Sequence, residues 1–167
     1  MRVIGIDPGL GATGYGVIET AGDGIKLVEA GVVSTDKRAG LPERLVTLHD
    51  ELSAILSEFN PDLMVVEALY SHYRHPRTSI IMGHARGVLL LTAARAGIGV
   101  KDYPATTIKL AVAGHGRASK EQVGEMVRYL LELDEAPRPP DVTDALACAL
   151  CHIGHQMGDL RALGGQG

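Results

Sequence analysis

A chain of 167 residues, 46% hydrophobic and 22% charged, has the length and balance of one soluble globular domain. No stretch runs the roughly 20 apolar residues of a membrane span, and an Asp-Pro-Gly turn at Asp7 cuts short any signal-peptide core. Two cysteines exclude a disulfide framework, so the expectation is a cytoplasmic protein, and a net charge of −4 argues against a plain nucleic-acid binder.

Arg2 to Asp7 reads as a buried first strand, and Pro8 to Ala12 as a turn. Thr13 to Thr20 alternates as a second strand, Ala21-Gly22-Asp23-Gly24 is a hairpin signal, and Ile25 to Thr35 follows as a third. A helix over Pro42 to Phe59 carries Leu45, Leu48, Leu52, Ile55, Leu56 and Phe59 at a 3.6-residue period. Asn60-Pro61 stops it. Asp62 to Leu69 holds the apolar run Leu63-Met64-Val65-Val66 ending at Glu67. Entered by a helical crossover, it predicts a strand parallel to a neighbour. Tyr70 to Arg77 is a loop, Thr78 to Ala96 a long helix, and Gly97 to Tyr103 a fifth strand. Pro104 to Ala113 forms a short helix and Gly114 to Arg117 a loop. Ser119 with Gln122 three residues on caps a helix to about Leu133. Pro137 to Pro140 breaks the chain before a last helix from Asp141 to about Gly158, and residues 159–167 read as a flexible tail. The order βββαβαβ followed by helices predicts an α/β fold, a five-stranded mixed sheet flanked by helices, in a single domain over 1–158.

Charge is unevenly distributed. From Ala68 to Lys120 eight basic residues face one acid, Asp102, so this stretch carries +7 and the remainder −11. Such asymmetry reads as a polyanion-facing surface, or as solvated faces that scatter in three dimensions. Within it, the loop Tyr70–Arg77 interleaves Tyr70 and Tyr73 with Arg74 and Arg77, a pattern suited to stacking and phosphate contacts on unpaired or bent DNA. It equally describes a solvated loop.

Asp7 and Glu67 each end an apolar strand, where ligands bind in open α/β sheets. Asp141 and Asp144 stand three apart at a helix start and share a face. Each has a plainer reading: Asp7 opens a turn, Glu67 is a strand terminus, and the helix-start acids suit a cap and the helix dipole. The joint pattern favours a cluster, because an acid ending a buried strand needs a partner. Two such charges about 4 Å apart repel by about 4 kcal/mol at an effective dielectric near 20, so protons or metal must neutralise them. Oxygen-only ligands select Mg²⁺ or Mn²⁺ over zinc, and two such ions serve phosphodiester hydrolysis.

Two motifs mislead. Gly9-Leu-Gly11-Ala-Thr-Gly14 matches G-x-G-x-x-G, but a strand follows it where a dinucleotide site requires a helix. These glycines fit a turn passing close to the acidic site. Cys148-Ala-Leu-Cys151-His152 matches a haem-attachment pattern but lies inside an apolar helix, where small buried residues are the better reading.

Gly5-Ile6-Asp7-Pro8-Gly9, Thr13-Gly14-Tyr15-Gly16, Val66-Glu67, Ala85-Arg86-Gly87-Val88, Ser119-Lys120 and Asp141-Val-Thr-Asp144-Ala-Leu-Ala together resemble the bacterial RuvC Holliday junction resolvases, in order and up to about His155. The resemblance implies a ribonuclease H-like fold, a symmetric homodimer and paired, metal-dependent nicking of a four-way DNA junction in recombination and repair. It implies that Asp7, Glu67, Asp141 and Asp144 hold the divalent metal, Mg²⁺ with Mn²⁺ as substitute, as two ions per subunit. Lys109 and Lys120 match basic residues near the cleaved phosphate, and Tyr70 stands where the family often has a stacking Phe. A branch-migration motor complex is the implied partner. Gly83 and Gly87, four apart in the Thr78–Ala96 helix, allow close approach either across a twofold axis or against the chain's own sheet. The rival readings are a non-catalytic junction-binding module and a fragment of an actin-like phosphotransferase.

Overall fold

The computed structural model describes residues 1–22, 24–68 and 76–164. Five strands build its sheet: β1 (Arg2–Asp7), β2 (Ala12–Ala21), β3 (Gly24–Ser34), β4 (Leu63–Glu67) and β5 (Gly99–Tyr103). Their spatial order is β3-β2-β1-β4-β5. β1, β2 and β3 pair antiparallel, while β4 joins β1 and β5 joins β4 in parallel. The helices are α1 (Leu41–Phe59), α2 (Pro76–Arg95), α3 (Ala105–Ala113), α4 (Lys120–Leu130) and α5 (Pro140–Gly164). The mixed sheet expected from the sequence is therefore present, with helices on both of its faces.

Each face buries its own core, because side chains alternate along a strand. Ile4, Ile6, Val17, Met64 and Val66 point towards α1 and α2, where they meet Leu48, Leu52, Leu56, Ala85 and Leu89. Val3, Ile18 and Val65 point the other way, into the cluster that contains α5 and the inner residues of α3 and α4. On this second face the strands carry glycines. A Cβ on Gly5 would run into the Ala145 carbonyl and stand 2.9 Å from Ala149 N; one on Gly16 would overlap the Leu146 side chain. α5 therefore lies almost backbone to backbone on β1 and β2. Its own run Ala145 to Cys151 is wholly buried and mostly small. The Cys148 and Cys151 thiols belong to this packing, and burial raises the ionisation of both above the usual thiol range.

Several element boundaries differ from the sequence-based expectation, each for a local reason. α2 opens at Pro76 rather than Thr78, since Pro is well placed in a first helical turn. β5 opens at Gly99 rather than Gly97: Gly97 adopts φ 72° and its N–H caps the preceding helix through Ala94 O. α4 stops at Leu130 rather than Leu133, because Glu132 takes the left-handed conformation at φ 53°. α5 continues through Gly158 to Gly164.

Candidate active site

The same alternation that sorts the core sorts the acids. Asp7 shares the parity of Val3 and Gly5 on β1, and Glu67 that of Leu63 and Val65 on β4. Because β1 and β4 are parallel neighbours with Ile6 opposite Val66, both acids leave the sheet at one end and towards α5. α5 brings Asp141 and Asp144 to the same place. Gly14, paired with Asp7 across β1 and β2, makes room for it: a Cβ there would strike the Asp141 carbonyl and stand 2.9 Å from the Asp141 Cβ.

The field among these groups is strong. Burial pushes the Asp7 carboxyl up to about 7, with Asp144, Glu67 and Asp141 adding to the rise and Lys120 opposing it. Glu67 is also raised, by burial first and then by Asp144, while Lys120 and Lys109 pull it down. The two lysines named from the sequence thus both act on the acidic cluster. Lys120 Nζ donates to Asp144 Oδ2 at 2.7 Å, and this bond holds the ammonium above its ordinary range. Lys120 is the first residue of α4. A reciprocal cap precedes it: Gln122 N donates to Ser119 Oγ at 3.2 Å, and Ser119 N to Gln122 Oε1 at 2.9 Å.

Among the described residues no three His, Cys, Asp or Glu side chains stand as a ready coordination shell. What the four carboxylates share is a common, mutually repelling field around Asp7, only part of which Lys120 offsets. An all-oxygen donor set under that repulsion fits a hard divalent cation. Beside Lys120 and Asp144 runs an open groove of about 840 Å³ walled by Gly124, Pro137, Pro139 and Thr143.

Tyr70 and Arg74 lie outside the described residues, as does the side chain of Arg77 at the start of α2. Among the described residues, four bases of the stretch are divided between separate places. Lys109 and Lys120 reach the acids, Arg86 is paired with Asp102, and Arg95 lies with Asp62 beside a groove at the opposite end of β4. Gly83 and Gly87 are exposed, with open space where a Cβ would be, so their spacing is not explained by packing on the sheet. Sequence reasoning placed Gly14 near the acids but missed Gly5 and Gly16, although isolated glycines inside strands mark close backbone approach. Arg86 stood in the sequence only within the Ala85-Arg86-Gly87-Val88 motif, with no role attached.

A mixed five-stranded sheet with acids at the ends of its two central parallel strands, completed by acids on a final helix, defines a nuclease-type ribonuclease H-like fold. The comparisons narrow this: the family model for "Crossover junction endodeoxyribonuclease RuvC" matches residues 3–152, and the chain belongs to the RuvC family. A RuvC of Rhodopirellula baltica is 47% identical over 93% of this chain and 86% of its own length. One from Desulfitobacterium hafniense is 44% identical over 99% of both. Among solved structures, Thermus thermophilus RuvC superposes with a TM-score of 0.86 at 40% identity, covering 95% of this chain and 97% of that one. The same protein in complex with Holliday junction substrate also gives 0.86, at 35% identity over 95% and 96%.

Proposed function

We propose that this protein resolves four-way DNA junctions by paired, symmetric nicks, and that Asp7, Glu67, Asp141 and Asp144 are its catalytic carboxylates. The observation that carries the reading is the convergence of charge on Asp7, which three acids from two other elements, β4 and α5, raise together with burial. Relatives named as crossover junction endodeoxyribonucleases, and the Thermus complex with a junction, support the substrate.

The four carboxylates would hold Mg²⁺, with Mn²⁺ as substitute and two ions per subunit as the number the donor set suits. Bound there, such ions supply Lewis acidity for hydrolysis of the phosphodiester and for the departing 3′ oxygen. Asp7 takes the central position, being coupled to each of the other three. Lys120 releases Asp144 and turns its ammonium to the scissile phosphate, and Lys109 adds a second positive charge from α3. Tyr70, Arg74 and Arg77 would contact bases and phosphates near the crossover.

Symmetric cutting needs two sites related by a twofold axis. The exposed stripe Ile80, Gly83, Gly87 and Leu91 on α2 would bring two copies together, the glycines letting the paired helices approach. A branch-migration motor complex would be a further partner, in the cytoplasm; no helix of the described residues is long and apolar enough to cross a membrane.

An immobile synthetic junction in Mg²⁺ tests the reading, with linear duplex as control. The wild-type chain should nick opposite strands of the junction, and Asp7→Asn should bind it with unchanged affinity while nicking at least ~10³-fold more slowly. Persistent cutting by Asp7→Asn would remove the carboxylates from the chemistry; no cutting by the wild type in Mg²⁺ or Mn²⁺ would remove the function.

A further inference from the structure

α2 reaches across the sheet at one residue. Arg86 is nearly buried, its side chain 11% exposed, and its guanidinium makes two bonds in different directions. Nη1 donates to the backbone carbonyl of Glu67 at 2.9 Å, and Nη2 donates to Asp102 Oδ1 on β5 at 2.7 Å. A nearly buried guanidinium is costly unless its donors are satisfied. Here the satisfying groups are the last residue of β4 and an acid of β5.

The location matters because the sheet is running out. β4 ends at Glu67, and the next residue keeps one bond, from Ala68 N to Tyr103 O at 2.9 Å. The β1 pairing has already ended one residue earlier, at Ile6 and Val66. The Glu67 backbone is thus fixed on one side by β5 and by the Arg86 fork. A planar fork with two donors at set angles fixes a carbonyl's position in a way a flexible ammonium does not.

We propose that Arg86 is a positioning residue for Glu67: it pins the carbonyl at the end of β4 so that the Glu67 carboxylate is held in the acidic cluster instead of swinging with a frayed strand end. The inference rests on the reading of Glu67 as a catalytic carboxylate. Arg86 itself contacts no substrate in this scheme, and its charge works through geometry. A displacement of about an ångström at a catalytic group lowers rates by about 100-fold.

Arg86→Gln and Arg86→Lys should be measured in the full-length protein by three readouts. Single-turnover nicking of the synthetic junction in saturating Mg²⁺ should fall about 30- to 100-fold in Arg86→Gln and less in Arg86→Lys. Junction affinity in Ca²⁺ should stay within twofold of wild type. Hydrogen exchange at the Ala68 amide, which bonds Tyr103 O at the end of β4, should be faster in Arg86→Gln as that end loosens. Asp102→Asn, which loosens only the second bond, should give a smaller change of the same kind. An unchanged nicking rate would overturn the proposal, and so would a rate loss matched by an equal loss of junction affinity, or unchanged exchange at Ala68. If Arg86→Gln does not fold, Arg86→Lys and Asp102→Asn decide by the same criteria. Failure of the wild type to nick would strike the functional reading, while exchange at Ala68 would still judge Arg86.

Discussion

The two faces of the sheet are built to different rules. Against α1 and α2 the strands present Ile4, Ile6, Val17 and Met64, and the helices meet them with leucines, so a full side-chain layer separates the backbones. Against α5 the strands present Gly5, Gly14 and Gly16, and the helix rests on them directly. The first face is an ordinary core, tolerant of change in proportion to volume lost. The second is a distance gauge: it fixes how far Asp141 and Asp144 stand from Asp7 and Glu67. Both faces bury a core, but only the second also sets the spacing of the acids.

Two substitutions would break that contrast if it were wrong. Gly14→Ala adds one methyl group against the Asp141 backbone and should lift the start of α5. Its nicking rate should fall roughly 100-fold, at a stability cost of about 2 kcal/mol from overpacking, with junction binding kept. Leu52→Ala empties a site only 1% exposed on the opposite face. It should lose about 3 kcal/mol and roughly 6–12 °C of melting temperature, yet nick within about threefold of wild type below its transition. Comparable rate losses in both variants would mean that the faces are not divided in this way.

The same contrast explains what the sequence made readable. Alternating aliphatic strands and the α1 stripe are periodic signals, so the βββαβαβ order and the mixed sheet followed from the pattern. The acids were legible because they sit where a period ends or begins: Asp7 and Glu67 at the last residues of β1 and β4, Asp141 in the first turn of α5 with Asp144 three residues on. Their mutual repulsion was anticipated, but the end of the sheet from which α5 starts, which brings them together, was not legible. Nor was the fate of the basic stretch. Residues adjacent in charge run, such as Arg86 and Arg95, are carried by α2 to different ends of β4, one gripping Glu67 and the other beside Asp62. Helix ends shifted by a few residues because Gly97 and Glu132 take left-handed conformations that only backbone geometry reveals.

Sharpening the comparison further, the α5 face should carry a pH-dependent penalty that the α1 face lacks. Asp7 titrates near 7 in the folded protein against 3.8 for the unfolded group, mainly because it is buried and then because other acids surround it. Between those values the folded state holds a proton that the unfolded state has lost. Stability from this group is thus complete below about pH 4 and declines as pH rises through 7. Denaturant titrations in chelator should show a loss on the order of 4 kcal/mol across that window, and Asp7→Asn should remove most of the slope, leaving the part due to Glu67. Mg²⁺ at pH 8 should restore stability to the wild type and not to Asp7→Asn. A flat profile in the wild type would mean that the acids do not share a field.

The smallest expected effect concerns how the α5 face receives its counter-charge. Lys120 reaches Asp144 from the first residue of α4, and the Ser119–Gln122 cap fixes that residue's backbone. Ser119→Ala removes the acceptor for Gln122 N and should cost about 1 kcal/mol. If the cap only stabilises α4, nicking should be unchanged at temperatures well below the transition. If it also aims Lys120, the rate should fall about two- to fivefold, and the Lys120→Met background should show no further loss when Ser119→Ala is added. Full additivity of the two substitutions would separate the cap from the lysine. The division between faces would then stop at α5, with α4 serving as packing alone.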